Sequence, residues 1–322
     1  MVSTYPARNR SAWVLAQRPA GGCLPDPWAP HGIFLERERL DSGAVVDSGV
    51  VLLTNKECPW RCLMCDLWKG TTKEKVPSGA ITRQVSLACR SWEAEGVAPS
   101  QVKLYNSGSF FDPAAIPRED FAGIAEELSF AANVVVESHP RLIGAEAARL
   151  RDLLTGGLEV AMGLETAHEG VLELLNKGFD LAQFALASSR LQREGISMRA
   201  FLLVNPPFMP PGEALDWVVK SADFAFSCGA SAVSLIPTRA GNGAMERLLE
   251  SGEFVLPKLA DLEMAQSRAI ALGRGRVFVD TWDLKQFSRC EHCFEKRAER
   301  LKCVNLTQQD LPLVACRSCG RN

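Results

Sequence analysis

At 322 residues, with 47% apolar and 23% charged side chains, the chain is long enough for one large soluble core plus a small appendage. Its 36 basic and 38 acidic residues give a formal net charge of -2, which leaves no global basic field to draw the protein towards nucleic acid. No apolar run approaches the roughly 20 residues that span a bilayer, and residues 1–10 lack the apolar centre of a secretory signal. Eleven cysteines in such a chain favour metal ligation over disulfides and a reducing, cytoplasmic setting without membrane attachment.

Residues 1–47 carry several prolines and glycines and read as a loosely structured lead-in, with Trp13 and Trp28 as anchors and a short hairpin through 34–40 and 44–46. Cys23 falls in a turn-like stretch without a partner nearby and reads as a bystander. From Val50 onward, buried-strand runs at 50–53, 102–105, 134–136, 158–162, 198–204 and 232–236 alternate with helical patterns. The helices have recognisable ends: Gly96, Gly195 and Gly229 stop three of them, and Asp180 with Gln183 forms a capping box. Six strand-then-helix units over 48–280 predict an α/β fold with parallel strands, a barrel or part of one, with a doubly wound open sheet as the competing topology.

Directly after the first strand, Cys58, Cys62 and Cys65 are spaced C-x3-C-x2-C. Thiolates at that spacing on one loop can wrap three corners of an iron–sulfur cube, leaving one iron without a protein ligand. An open coordination position separates a reactive metal site from a closed structural one. The bland alternative is three buried or zinc-bound cysteines, but nothing nearby supplies the second pair that zinc usually takes.

In parallel α/β folds the chemistry gathers where strands end. Ser107-Gly108-Ser109 leaves the second strand with backbone groups suited to a ligand's carboxylate and amine, or forms an ordinary polar turn. Glu137, directly after three valines, is hard to explain as a solvated residue and is a candidate ligand contact, whereas His139 alone would more often be structural. The prolines from Pro206 to Pro211 form a rigid loop, and Arg239 and Asn242 follow the sixth strand as candidate contacts.

Residues 281–322 change character. Cys290, Cys293, Cys316 and Cys319 form two C-x2-C pairs, a strong metal signal for zinc in a closed tetrahedron or for an auxiliary iron–sulfur cluster, in which Cys303 could substitute. The basic residues of this module, among them Lys296, Arg297 and Arg300, alternate with Glu295 and Glu299 as on a solvated face, with a phosphate contact as the alternative.

The cysteine loop resembles the signature of the radical S-adenosylmethionine (radical SAM) superfamily, and the six units fit its partial (β/α)6, TIM-like barrel. Gly163-Leu164-Glu165-Thr166 with Asn176-Lys177-Gly178 resembles a segment of its elongator-acetyltransferase and methylthiotransferase types. The resemblance implies a [4Fe-4S] cluster on Cys58, Cys62 and Cys65, whose open iron chelates SAM and whose electron cleaves it to a hydrogen-abstracting 5′-deoxyadenosyl radical. It also implies that Met64 lies beside the adenine in place of the usual aromatic residue. Ser107, Gly108 and Ser109 take the place of a Gly-Gly-Glu-like segment at the SAM amino group, and Glu165 and Thr166 approach the ribose. Arg199 would pair with the SAM carboxylate or face solvent. A flavodoxin or ferredoxin would supply the electron. Together with Asn305-Leu306-Thr307-Gln308, these features resemble the branch holding the radical SAM subunit of archaeosine synthase, which implies a modified transfer-RNA base as substrate where a small metabolite is the alternative. A non-catalytic zinc- or RNA-binding protein with two structural cysteine sites is the competing reading.

Overall fold

The computed structural model describes residues 4–19 and 25–319, so Cys23 lies outside the described residues. Eight strands form one sheet in the order of the chain. They are β1 (Gly32–Arg39), β2 (Val45–Leu52), β3 (Gln101–Tyr105), β4 (Asn133–Ser138), β5 (Gly157–Glu165), β6 (Ser197–Val204), β7 (Ala232–Pro237) and β8 (Arg276–Val279). The hairpin expected in the lead-in is β1 with β2, its second arm being the first parallel strand, and every later neighbour pairs in parallel. Sequential order excludes the doubly wound sheet, where order must reverse at a switch point. The segment 276–279 joins as β8, giving one more parallel strand than the six expected.

The outward faces of the strands carry Val51, Leu104, Val136, Val160 and Met162, which pack with helix residues such as Val85, Trp92, Ile124 and Leu191 in one core. Each such fully buried side chain contributes about 1.5–3 kcal/mol. The capping box at Asp180 is present, its carboxylate accepting from the Gln183 N–H at 2.8 Å while Gln183 Oε1 accepts from the Asp180 N–H at 3.1 Å. Among the described residues no helix is long and apolar enough to cross a membrane.

The inward face is different. Towards the N-terminal ends of the parallel strands, Glu38 near the C-terminal end of the antiparallel β1 reaches Arg199 of β6 at 2.5 and 3.0 Å, and Arg199 Nε donates to Glu159 of β5 at 2.6 Å. Lys103 of β3 pairs with Glu36 and Glu38, and Arg276 of β8 reaches Glu159 at 3.4 Å. Three carboxylates thus meet three cations, and all but the half-exposed Glu36 are buried. Although burial works against its charge, Arg199 and Lys103 hold the Glu38 carboxyl well below the usual carboxylate range. These pairs connect strands far apart in the sheet order, so the sheet is curled into a half-barrel with a charged floor.

The seam between β8 and β1 is covered by the helix Glu291–Thr307. Asn305 accepts from the Val279 N–H at 2.9 Å and donates to the Val279 carbonyl at 2.8 Å. Gln308 treats Val277 the same way, at 2.7 and 3.1 Å. Two side-chain amides therefore stand in for a ninth strand and satisfy an edge that would otherwise be open.

Arg199 was expected at the SAM carboxylate; it lies instead at the opposite end of its strand, bound to two carboxylates and 2% exposed. Periodicity placed the strand, but its partners depend on register and curl, which a single strand's pattern does not carry. Replacing one member of a buried charge cluster leaves the others uncompensated. Arg199→Met is expected to lower the unfolding free energy by about 3–5 kcal/mol in urea titration, and an unchanged midpoint would show that the floor contributes nothing.

Candidate functional site

The loop after β2 carries Cys58, Cys62 and Cys65, all half-buried. Two separate segments hold its backbone. The Leu63 N–H donates to the Leu175 carbonyl at 2.9 Å, and Asn176 Nδ2 donates to the Arg61 carbonyl at 2.7 Å. Buried Asn242, beyond β7, donates to the Leu63 and Cys65 carbonyls at 2.7 and 3.1 Å and is itself fixed by the Met245 N–H. Asn242, read from sequence as a ligand contact, is thus a positioning residue for the cysteine loop. Arg239 pairs with Asp280 at 2.8 Å.

Burial pushes the Cys58 and Cys62 thiols up to about 11 and Cys65 to about 12, and each is raised further by another of the three. Lys177 opposes this at all three thiols. Its buried ammonium pairs with Glu165 at 2.7 Å and lies over the Phe179 ring at 5.7 Å. Sequence reasoning quoted Lys177 within a motif but gave it no role; the signal was its place beside Gly178. Gly163 makes the pair possible, because a Cβ there would lie 2.4 Å from Glu165 Oε1 and 2.7 Å from Lys177 Nζ. A register irregularity between Gly163 and Glu165, with Glu165 at φ 66, aims the carboxylate at the ammonium.

The loop after β3 meets the cysteine loop directly, since a Cβ on Gly108 would stand 3.2 Å from Cys58 Cβ. Glu137 anchors that loop: its Oε1 accepts from the Asn106 N–H at 2.6 Å and the Gly108 N–H at 3.3 Å. Burial raises the Glu137 carboxyl to about 7 despite these bonds. Ser109 is buried and shares a 2.8 Å hydrogen bond with Ser138, while Thr166 Oγ1 accepts from the His168 N–H at 3.1 Å. Both hydroxyls were expected at SAM, yet each is engaged within the protein, because short side chains bond nearby backbone and hydroxyl groups first. Ser107 is half-buried at φ 54, a region that costs a non-glycine residue about 1–3 kcal/mol. Asn106, missed in the sequence, is fully buried, and among the described residues neither its Oδ1 nor its Nδ2 has a hydrogen-bond partner. Such a group is rare and calls for a ligand or a water.

Two features complete the mouth. Met64 packs with Leu203, Met209 and Ile236 in a small apolar cluster. His139 stacks on Trp60 with ring centroids 3.7 Å apart. Its Nε2 donates to the Lys177 carbonyl at 2.8 Å and its Nδ1 accepts from the Arg141 N–H at 3.2 Å. Burial, with Lys177 and Arg141 nearby, lowers its pKa to about 3, so this neutral tautomer persists and props the Lys177 segment.

Far along the chain, the sulfurs of Cys290, Cys293, Cys316 and Cys319 all lie within 4.8 Å of one another. Cys303, the alternative ligand, is outside this group and bonded to Glu299 at 3.4 Å. Arg297 and Arg300, read as part of a solvated face, are buried against Glu263.

No protein-family model matches the chain. It is 26% identical to archaeosine synthase subunit beta of Methanosarcina acetivorans over 294 residues, 86% of this chain and 84% of that one. The protein of the same name from Thermococcus kodakarensis is 32% identical over 162 residues, 48% of this chain and about half (49%) of the relative. An uncharacterised protein of Methanocaldococcus jannaschii is 26% identical over 242 residues, 71% of this chain and 66% of that protein. A radical SAM methyltransferase from Sphaerobacter thermophilus superimposes with a TM-score of 0.53 at 15% identity, over 86% of this chain and 82% of that one. Elp3 of Methanocaldococcus infernus, lacking its N-terminus, does so with a TM-score of 0.52 at 15% identity, over 69% and 59%. The chain is a homologue of the proteins named archaeosine synthase subunit beta, and its fold is that of the radical SAM enzymes.

Proposed function

We propose that the protein is a radical SAM enzyme whose cluster is held by Cys58, Cys62 and Cys65. The observation that carries this reading is the meeting, at the C-terminal ends of the strands, of three thiols on one loop with the buried ammonium of Lys177. The donor set fits a [4Fe-4S] cluster with one open iron, since cysteine thiolates are its usual ligands and loading it displaces their protons. When bound, the cluster supplies the electron that cleaves SAM to a 5′-deoxyadenosyl radical, which abstracts hydrogen from the substrate; a flavodoxin or ferredoxin is the electron source.

The chain's own groups divide the work of holding SAM. Lys177 offers a cation to the SAM carboxylate, and the second oxygen of Glu165 offers an acceptor to the ribose hydroxyls. The amide of Asn106, beside Ser107 and Gly108, supplies both a donor and an acceptor for the polar end of SAM. Met64 with Met209 and Ile236 gives the adenine an apolar wall. Glu137 and His139 act one step back, fixing the loops that carry these groups. Homology to proteins named archaeosine synthase subunit beta supports a modified base of transfer RNA as substrate ahead of a small metabolite.

Reconstituted anaerobically and reduced, with its substrate present, the wild-type protein is expected to form 5′-deoxyadenosine and Cys62→Ala to form none. Equal product from both would sink the proposal. Asn106→Leu separates function from folding. Removing an unpartnered buried amide should raise the unfolding free energy by about 1–3 kcal/mol. The same change should weaken SAM binding about tenfold by equilibrium dialysis. Lower stability with unchanged SAM affinity would assign Asn106 a purely structural role.

A further inference from the structure

The four C-terminal cysteines carry an inference that the three-cysteine loop does not supply. Cys290 and Cys316 sulfurs stand 3.8 Å apart, Cys293 and Cys319 sulfurs 3.7 Å apart, and no pair of the four exceeds 4.8 Å. A single zinc at the usual Zn–S length of about 2.3 Å puts its thiolates at tetrahedron corners about 3.8 Å apart. In a polynuclear iron–sulfur cluster the four thiolates are shared among different irons, which sets some or all of them farther apart than one ion does. The spacing therefore fits one metal ion and is too tight for an auxiliary cluster.

The surroundings say what such an ion would hold. Arg297 Nε donates to Cys293 Sγ at 3.3 Å and its Nη1 pairs with Glu263, a buried residue of the neighbouring helix Leu259–Ile270. One turn on, Arg300 grips the segment that leads to Cys316, donating to the Leu311 carbonyl at 2.5 Å, the Pro312 carbonyl at 3.0 Å and Asp310 at 3.1 Å. The Val314 backbone also bonds Glu263, and a metal on the four thiolates would fasten the end of the tail to the start of the helix Glu291–Thr307. The far end of that same helix presents Asn305 and Gln308 to the open edge of β8. Four thiolates on a dication leave a local charge of minus two, and the Arg297 guanidinium beside Cys293 offsets part of it.

We infer that Cys290, Cys293, Cys316 and Cys319 form a mononuclear zinc site, and that this site clamps the C-terminal helix so that its two amides seal the edge of β8. The site is chemically independent of the loop at Cys58, Cys62 and Cys65. Replacing all three of those cysteines by alanine removes any cluster there and leaves the zinc site intact.

The test is metal and sulfide analysis on the full chain purified anaerobically, in the wild type, in the triple cysteine-to-alanine variant, and in Cys316→Ser with Cys319→Ser. One zinc per chain in the first two and none in the third is the expected result. Cobalt exchanged into the wild type should give the intense visible bands of a tetrahedral thiolate site. That readout needs no variant to fold. Removing the zinc with a chelator should speed amide exchange at Val277 and Val279 by about tenfold or more relative to β4. Iron in the triple variant, with or without sulfide, or a chain that retains no metal, would overturn the zinc assignment. Unchanged exchange at Val277 and Val279 after zinc removal would overturn the clamp. Failure of SAM cleavage would touch neither result.

Discussion

Glu38 and Arg199 meet across the inside of the sheet, and most of the architecture depends on that meeting. One side chain comes from the antiparallel strand added at the edge and the other from β6, so the pair can form only if the sheet curls back on itself. Taking either charge out of water costs several kcal/mol, and only well-formed bonds to opposite charge offset it. The floor satisfies that demand with equal numbers of carboxylates and cations, and with Gln101 Nε2 donating to Glu38 at 3.0 Å. Above it, the Tyr105 and Phe201 rings approach edge to face at 6.2 Å from strands that are not neighbours. Charged floor and ring pair thus fill the inside of the sheet on the side away from the cysteine loop.

At that upper end the backbone is held in conformations that side chains rarely adopt. Ser107, Glu165, Asn176 and Asn205 all have positive φ, and all lie at or just beyond the C-terminal end of a strand or in the segment that holds the cysteine loop. Asparagine tolerates this region, but serine and glutamate do so at a cost. The surrounding bonds enforce it: Glu137 fixes the loop at Ser107, and Lys177 fixes Glu165. Strain, an unpartnered amide at Asn106 and three thiols with raised pKa values thus occur together at one end. At the other end three carboxylates face three cations, and of the floor's charged groups Arg276 Nε lacks a hydrogen-bond partner among the described residues. That asymmetry is what a binding mouth on a rigid barrel requires.

The hairpin, the six parallel strands, the capping box at Asp180 and the two cysteine groups were legible in the sequence because each is written in local periodicity or spacing. What was not legible depended on pairing between distant segments. Arg199, at the start of its strand, was read as a partner of the SAM carboxylate or a solvent-facing residue, but the curl of the sheet pairs it with Glu38 and Glu159 at the floor. Ser109 and Thr166 looked like ligand hydroxyls, yet nearby groups satisfy them first. Lys177 was visible only as part of a pattern, since its importance comes from three thiols contributed by a loop more than a hundred residues earlier. Asn305 and Gln308 were noticed as a recurring string, while their work, standing in for a strand, appears only once β8 lies beside them.

Two ends of one helix explain how the C-terminal segment relates to the barrel. A parallel sheet that stops short of closure leaves N–H and C=O groups on its last strand, and such an edge invites pairing with another chain. Here the edge is covered by side chains from a helix, which is a weaker template than a strand because the helix must be held at a fixed height and rotation. Asn305 and Gln308 lie on its last turn and just past it, so a small rotation would break all four of their bonds to Val277 and Val279. Anchoring must therefore come from the helix body and its start, where Leu301 and Val304 are buried, Arg297 and Arg300 converge on Glu263, and Cys290 and Cys293 face the tail. The charged contacts resist rotation, and the cysteine group ties the helix start to the tail. The seal on β8 is thus a tertiary property of the last thirty residues acting together.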